Sequence, residues 1–298
     1  VISFNHASKQ AWIVSNGFPE DKSDKRTNRA KARIKWLEGF LSTASAPAID
    51  LTQCGNITSN FTRPEYKKAI TKCMSYIRQG DIFEANLAQR FQCDLKAGTE
   101  MPLYLKLREL NNAPFSAYSN IANTHILSTS PERFLSLNNR QVEARPIKGT
   151  SRRSTCQIED AKLAQQLCHS AKDRAENIMI VDLMRNDLSR VSKPASVAVA
   201  KLCCLESYVN VHHLVSVIKS ELNPNEDAFS LLKAAFPGGS ITGAPKIRAM
   251  AIIDELEPHR RGPYCGSLGY ISANGDMDFS ILIRTLVIKD NIINFHSG

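Results

Sequence analysis

Apolar and polar positions along this chain alternate with period two in some stretches and near 3.6 in others, which predicts strands and helices in mixed order. Residues 1–14 read as a strand pair around Asn5-His6-Ala7-Ser8. A helix with the apolar stripe Ile34, Leu37 and Leu41 follows, and residues 42–59, rich in Ser, Thr, Ala and Pro, read as a linker. Thr62 and Glu65 form a capping-box pair with Pro64 in the first turn. The helix they open should bury Tyr66, Ile70, Cys73, Met74 and Ile77 and stop at Gly80. Strands are predicted over 82–91, 115–121 and 125–129. A hairpin follows, of 134–137 and 142–147, joined by Asn138-Asn139-Arg140, because Asn tolerates left-handed turn backbone. Helices are expected from about Glu159 and over 171–188, and strands over 196–205 and 209–217. Further helices cover 229–236 and 245–256, and two strands close the chain, with Arg284 inside the strand Ile281-Leu282-Ile283-Arg284-Thr285. Long antiparallel runs with interposed helices indicate an α+β fold rather than a doubly wound parallel sheet. The organisation divides into an N-terminal region, 1–59, and a larger domain, 60–298.

Composition changes this picture little. The 43% hydrophobic and 22% charged content of these 298 residues is that of an ordinary globular protein with a large core. No apolar run approaches the roughly 20 residues of a membrane helix, and no signal-peptide pattern opens the chain. The eight cysteines are scattered without a C-x-x-C pair, which speaks against a zinc site or a disulfide framework and suits the reducing cytoplasm. Residues 22–35 hold seven basic residues and one acid, so this segment carries +6 of the net +9. No aromatic residues interleave with those charges, so a solvated helix face is the better reading than a nucleic-acid surface. A modest positive field suits a dianionic small molecule.

The candidate chemistry sits at the hairpin. Glu132 lies 16 residues before Lys148, and folding the chain at Asn139 brings both to the same end of the ribbon. A carboxyl and an amine there could serve as general acid and nucleophile on one substrate. Taken alone, Glu132 reads more often as a solvated turn residue and Lys148 as a solvent-exposed strand-end lysine. Asp173 and Glu176, spaced i, i+3 on a predicted helix, share a face. Asp182, Arg185, Asn186 and Asp187 lie near the end of that helix, where Arg185 and Asp187 read as structural. Residues 238–246 fail the G-x-x-x-x-G-K-[ST] spacing of a phosphate loop, although a helix N-terminus there could hold a carboxylate.

Longer motifs carry a resemblance. They are Asn86-Leu87-Ala88-Gln89-Arg90-Phe91, Ser130-Pro131-Glu132-Arg133-Phe134, Arg145-Pro146-Ile147-Lys148-Gly149-Thr150, Ala175-Glu176-Asn177 with 181–187, His212-His213-Leu214-Val215-Ser216, and residues 236–246. In this order the chain resembles the chorismate-utilising enzymes from about residue 60 onward, and among them the branch that forms 4-amino-4-deoxychorismate for p-aminobenzoate and folate synthesis. The resemblance implies a layered sheet sandwich flanked by helices, with the active site in a cleft between sheets. It implies that Glu132 protonates the departing C4 hydroxyl of chorismate. The Lys148 amine would attack C2, and ammonia from a glutamine amidotransferase subunit would then add at C4 and expel the lysine. The anthranilate-forming sister branch has Ala at this position. Asp173, usually Glu in the family, and Glu176 would face Mg²⁺. Thr150, His213, Thr242, Tyr264, Arg284 and Gly298 would hold substrate, Tyr264 and Arg284 at its enolpyruvyl carboxylate. Pro114, Phe115 and Ser116 match part of a tryptophan pocket in some relatives. At Glu84, members that add water have a lysine base and those that add ammonia typically have Gln; this chain has Glu. The family continues beyond Gly298, so the sequence reads as part of a longer protein, and a non-catalytic binding partner is the reading from another class.

Overall fold

The computed structural model describes residues 1–43 and 55–298. The chain divides into two compact units, Val1–Ala48 and Ile49–Gly298. In the first, strands Ile2–Asn5 and Gln10–Ile13 pair antiparallel and precede the helix Ser23–Thr43. Its expected stripe is incompletely covered: Ile34 and Leu37 are half-buried and Leu41 is exposed. Most of the expected linker, 44–54, lies outside the described residues. Its end, Thr58–Ser59, is an edge strand of the second unit.

The second unit is built on two antiparallel sheets. One has seven strands, in the order Ile147–Arg152, Val211–Glu221, Gln141–Ala144, Arg133–Asn138, Met277–Ile281 and Ser267–Ile271, with Ala198–Ser207 pairing to Val211–Glu221. The other has six, in the order Thr58–Ser59, Gln89–Asp94, Ile292–Ser297, Thr285–Lys289, Thr124–Ser130 and Phe115–Ile121. Helices Ala171–Ser189 and Ala228–Ala235 cover the larger sheet over a core that includes Leu135, Ile180, Leu188, Ile218 and Leu231. Helix Glu100–Leu110 covers the smaller sheet through Leu103 and Tyr104. This is the α+β layering expected.

Two passages of chain link the sheets. Strand Thr124–Ser130 ends at Ser130-Pro131-Glu132, and Arg133–Asn138 continues in the other sheet. The apolar run expected as one strand through Arg284 is likewise two. Met277–Ile281 belongs to the seven-stranded sheet and Thr285–Lys289 to the six-stranded one. Arg284 stands in the break with φ of +48°, exposed rather than clamped between aliphatics. The chain accordingly closes with four strands, not two.

Local signals explain most of the remaining agreement and disagreement. Thr62 accepts from the Glu65 amide while the Glu65 carboxylate accepts from the Thr62 amide at 2.8 Å, a complete capping box. That helix, Arg63–Arg78, buries only Ala69 and Cys73, and Ile70, Met74 and Ile77 remain exposed. It docks through a narrow stripe, with Cys73 against Ala249 and Ile252, so the outer part of the apolar face stays uncovered. The hairpin turns on Asn139 and Arg140, both with positive φ, and pairs Asn138 with Gln141.

The segment expected as one strand, 142–147, is interrupted at Arg145-Pro146. Gln141–Ala144 pairs with the far half of Val211–Glu221, and Ile147–Arg152 with the near half. Between Ile147 and Thr150 the register slips by one residue, a bulge at Lys148-Gly149. Gly149 has φ of +91°, and a β-carbon on it would lie 3.0 Å from Asp173 Cβ and 3.2 Å from Leu167 Cδ1. Both conformation and space therefore require glycine. Gly149→Ala is expected to destabilise the fold by about 1–3 kcal/mol, seen as a lower urea midpoint with an unchanged denaturant slope.

Candidate active site

The passages between the sheets bound a cavity of about 400 Å³. Its lining includes Glu132, Lys148, Thr150, His213, Tyr264, Arg284 and Gly298, together with Asn86, Ser240 and His296. The carboxyl and the amine thus open into one space. Extending the hairpin register places Glu132 opposite Ile147, whose amide donates to Glu132 Oε1 at 3.4 Å.

Glu132 is almost wholly buried, and the Ser240 hydroxyl donates to it at 2.6 Å. Burial outweighs these hydrogen bonds and the charge of Lys148, so its pKa rises to about 7. A carboxyl in this condition keeps a substantial protonated fraction near neutrality and can act as an acid. Lys148 emerges from the bulge and its Nζ donates to the Glu84 carboxylate, whose second oxygen, Oε2, is buried with no hydrogen-bond partner. Below the bulge, Asn177 Nδ2 donates to the Leu214 carbonyl at 3.1 Å and lies 3.5 Å from that of Lys148. The Asn177 side-chain oxygen accepts from Ser216. The helix Ala171–Ser189 is thereby tied to the strand that carries the amine.

Thr150 Oγ1 lies 2.8 Å from His213 Nδ1. Burial and, next, the charge of Arg284 lower the His213 pKa to about 4, so the ring is neutral at pH 7. Nδ1 shares this hydrogen bond with the Thr150 hydroxyl, and Nε2 is buried with no hydrogen-bond partner among the described residues. Tyr264 stacks on His296 with ring centroids 4.6 Å apart and planes at 5°. Burial raises the Tyr264 pKa, keeping its hydroxyl protonated. Arg284 makes no ion pair among the described residues.

Other sequence-derived candidates lie elsewhere. Thr242 does not line this cavity, and its hydroxyl donates to the Gly238 carbonyl at 3.0 Å. Pro114 borders a small separate hollow, Phe115 lies under the Arg133 guanidinium, and Ser116 donates to the Ala113 carbonyl. Asp187 pairs at 2.5 Å with Lys246, which also donates to the Ala235 and Pro237 carbonyls, whereas Arg185 reaches only Asp182. Asp173 and Glu176 are half-buried and absent from the cavity lining; Asp173 packs behind Gly149. Among the described residues no group of three or more His, Cys, Asp or Glu side chains is arranged for a metal. Two carboxylates on one helix face still suit Mg²⁺, which is commonly held by one or two carboxylates with substrate oxygens and water. Ser240 and His296 were not singled out from sequence, although both fall in stretches that were; only the folded contacts with Glu132 and Tyr264 reveal them.

The profile of the chorismate binding enzyme family matches residues 1–298. The chain belongs to this family. It is 50% identical over 271 residues to aminodeoxychorismate synthase component 1 of Escherichia coli (strain K12), covering 91% of this chain and 59% of that protein. It is 44% identical over 302 residues to anthranilate synthase component 1 of Aquifex aeolicus (strain VF5), covering 100% and 61%. Among solved structures, anthranilate synthase component I from Streptococcus pneumoniae TIGR4 superposes with a TM-score of 0.88 at 32% identity, over 100% of this chain and 66% of that one. The chain spans about three fifths of the length of these curated relatives.

The raised pKa of Glu132 has a consequence for stability. Between its unfolded value of 4.5 and its folded value of about 7 the folded state holds a proton that the unfolded state has released. The Glu132 contribution to stability therefore falls as pH rises through that window, by roughly 3 kcal/mol in all, while His213 and His296, held neutral by burial, contribute a slope of the opposite sign below about pH 6.5. Glu132→Gln removes only the first of these, so the stability of wild type relative to the variant should fall as pH rises, which urea midpoints of both proteins between pH 4.5 and 8 would test.

Proposed function

We propose that the complete protein converts chorismate and ammonia to 4-amino-4-deoxychorismate, with this chain supplying the acid and the nucleophile. The observation that carries the reading is Lys148 opening into the same cavity as the protonatable, buried Glu132. The Lys148 amine attacks C2 of the ring. The double bonds shift, and the C4 hydroxyl leaves as water with the Glu132 proton. Ammonia then adds at C4, the double bonds return, and the C2–N bond breaks to release the lysine. The Glu132 carboxylate recovers a proton from the new C4 ammonium, so the cycle closes.

The other lining groups suit a substrate with two carboxylates. Arg284, without an internal acidic partner, offers a guanidinium fork to one of them, with Tyr264 beside it in the lining. His213 offers a neutral imidazole. Asp173 and Glu176 would hold Mg²⁺, which when bound supplies positive charge to the ring carboxylate. The ammonia would come from a glutamine amidotransferase subunit. The scattered cysteines, without a C-x-x-C pair, support a reducing setting. No described helix is long and apolar enough to cross a membrane.

The decisive assay supplies the complete protein with chorismate, ammonium and Mg²⁺ and identifies the product. Aminodeoxychorismate is expected; anthranilate would assign the chain to the sister branch, and no product would support a binding role. Lys148→Ala should lower C4 amination by at least about 100-fold while leaving chorismate affinity largely intact, because the lysine acts on the barrier rather than on ground-state binding. Full activity in that variant would overturn the covalent route. For the 298-residue chain itself, titration calorimetry should find only weak Mg²⁺ binding, since two carboxylates leave most of an octahedral shell to water.

A further inference from the structure

We infer that Glu84 is the general base that deprotonates Lys148, so that the nucleophile is activated by its own ion-pair partner rather than by solvent. The inference rests on the covalent route above and assigns it a residue. Glu84 does not line the cavity; it reaches the reaction through Lys148 Nζ, to which one of its oxygens is hydrogen-bonded.

The position is fixed by backbone. Glu84–Ala85 pairs with Gly243–Ala244, and a β-carbon on Gly243 would fall 2.1 Å from the Glu84 carbonyl oxygen. That contact allows only glycine and brings the Glu84 main chain close enough for its side chain to meet the bulge at Lys148. Lys148 and Glu84 are both largely buried, with side chains 17% and 19% exposed.

The second carboxylate oxygen gives the direction of proton transfer. Oε2 is buried without any hydrogen-bond partner. With one oxygen left bare in a low-dielectric setting, an ionised carboxylate carries a larger desolvation cost than a neutral acid does, and its one contact to Lys148 offsets only part of it. Transfer of one proton from Nζ to the carboxylate neutralises both groups at once and leaves the free amine that attack on C2 requires. The other charged or titratable groups in the cavity lining are Glu132, His213, Tyr264, Arg284 and His296, with Asp173 behind Gly149; burial keeps the Tyr264 hydroxyl protonated. Glu132 is committed to the leaving hydroxyl, and burial lowers the pKa values of His213 and His296 to about 4, which makes them poor bases.

The protons balance. Lys148 gives one to Glu84 and becomes a neutral amine. Its attack on C2 produces a secondary ammonium as the hydroxyl departs with the Glu132 proton. When ammonia adds at C4 and the C2–N bond breaks, the electron pair returns to Nζ and lysine leaves as the neutral amine. The C4 ammonium reprotonates Glu132, and Glu84 returns its proton to Lys148. Glutamine at this position could accept a hydrogen bond from the lysine but could not take its proton.

The test uses the complete protein with chorismate and Mg²⁺ but no ammonia, following the dehydrated substrate adduct on Lys148 by mass spectrometry against pH. Wild type, Glu84→Gln, Glu84→Asp and Lys148→Ala are compared. Glu84→Gln should form the adduct at least about tenfold more slowly at pH 7. The ratio of wild-type to Gln-variant rates should shrink with rising pH, because solvent then removes the lysine proton; taking the ratio cancels the titration of Glu132. Glu84→Asp should keep the wild-type pH profile at a reduced rate. Equal rates and profiles in wild type and Glu84→Gln would overturn the inference and leave the covalent route standing. Loss of the adduct at every pH in both Glu84 variants would overturn it in favour of a purely structural pair. Aminated product from wild type that never carries an adduct would overturn the covalent route, and this inference with it.

Discussion

The contact between Gly149 and the first turn of the helix Ala171–Ser189 is the constraint on which the site depends. The backbone here has a left-handed conformation that strains any side chain, and a β-carbon would crowd Asp173 and Leu167. With glycine in place, the strand bulges and the helix closes on it. Asn177 can then reach the carbonyls of Leu214 and Lys148 from one side, and Lys148 projects into the cavity on the other. The bulge is the device that turns a strand residue out of its pleat. The same approach brings Asp173, a candidate magnesium ligand, against the backbone of the candidate nucleophile. A local steric requirement thus couples helix packing to the aim of a reactive amine.

Electrostatics then divides the ionisable groups by task. Burial raises Glu132 into the neutral range, so it starts as an acid. The same physics acts in the opposite sense on His213 and His296, which are held neutral. The cavity is consequently not crowded with fixed positive charge. Arg284, exposed and without an ion pair among the described residues, is free to turn its guanidinium to a carboxylate entering the cavity.

Much of this was legible from residue order, and the reasons differ from place to place. Thr62 and Glu65 announced their helix because capping is a local hydrogen-bond pattern. Asn139 and Arg140 announced the hairpin because a tight turn needs positive φ, and the hairpin in turn placed Glu132 near Lys148. The helix Glu100–Leu110 was not anticipated; Thr99 makes no side-chain cap and Pro102 interrupts the pattern of its first turn. Arg284 was misplaced because an apolar run shared between two sheets looks like one strand until a residue at its middle takes positive φ. Thr242, which the resemblance put among the substrate-holding residues, donates its hydroxyl to the Gly238 carbonyl and lies outside the cavity lining. The pairing of Glu84 with Lys148 joins residues 64 apart in sequence. No local pattern could give it, because it depends on how two short strands meet.

The family and the branch within it are separate inferences with separate weights. Residues 1–298 match the family throughout, and the TM-score of 0.88 is to a structure named for anthranilate synthesis. Identities of 50% and 44% to the two synthase types differ too little to decide between them on overall similarity. Both branches need an acid for the leaving hydroxyl and a place for two carboxylates, so most of the fold and cavity serves either. The distinction must come from an atom that changes where nitrogen adds. An amine that occupies C2 first forces the later nucleophile to C4, whereas a methyl group in its place leaves C2 open to ammonia. On the covalent route proposed above, Lys148 carries that atom in this chain. The Gly149 bulge aims the Lys148 side chain into the cavity, and Glu84 is the carboxylate it pairs with there.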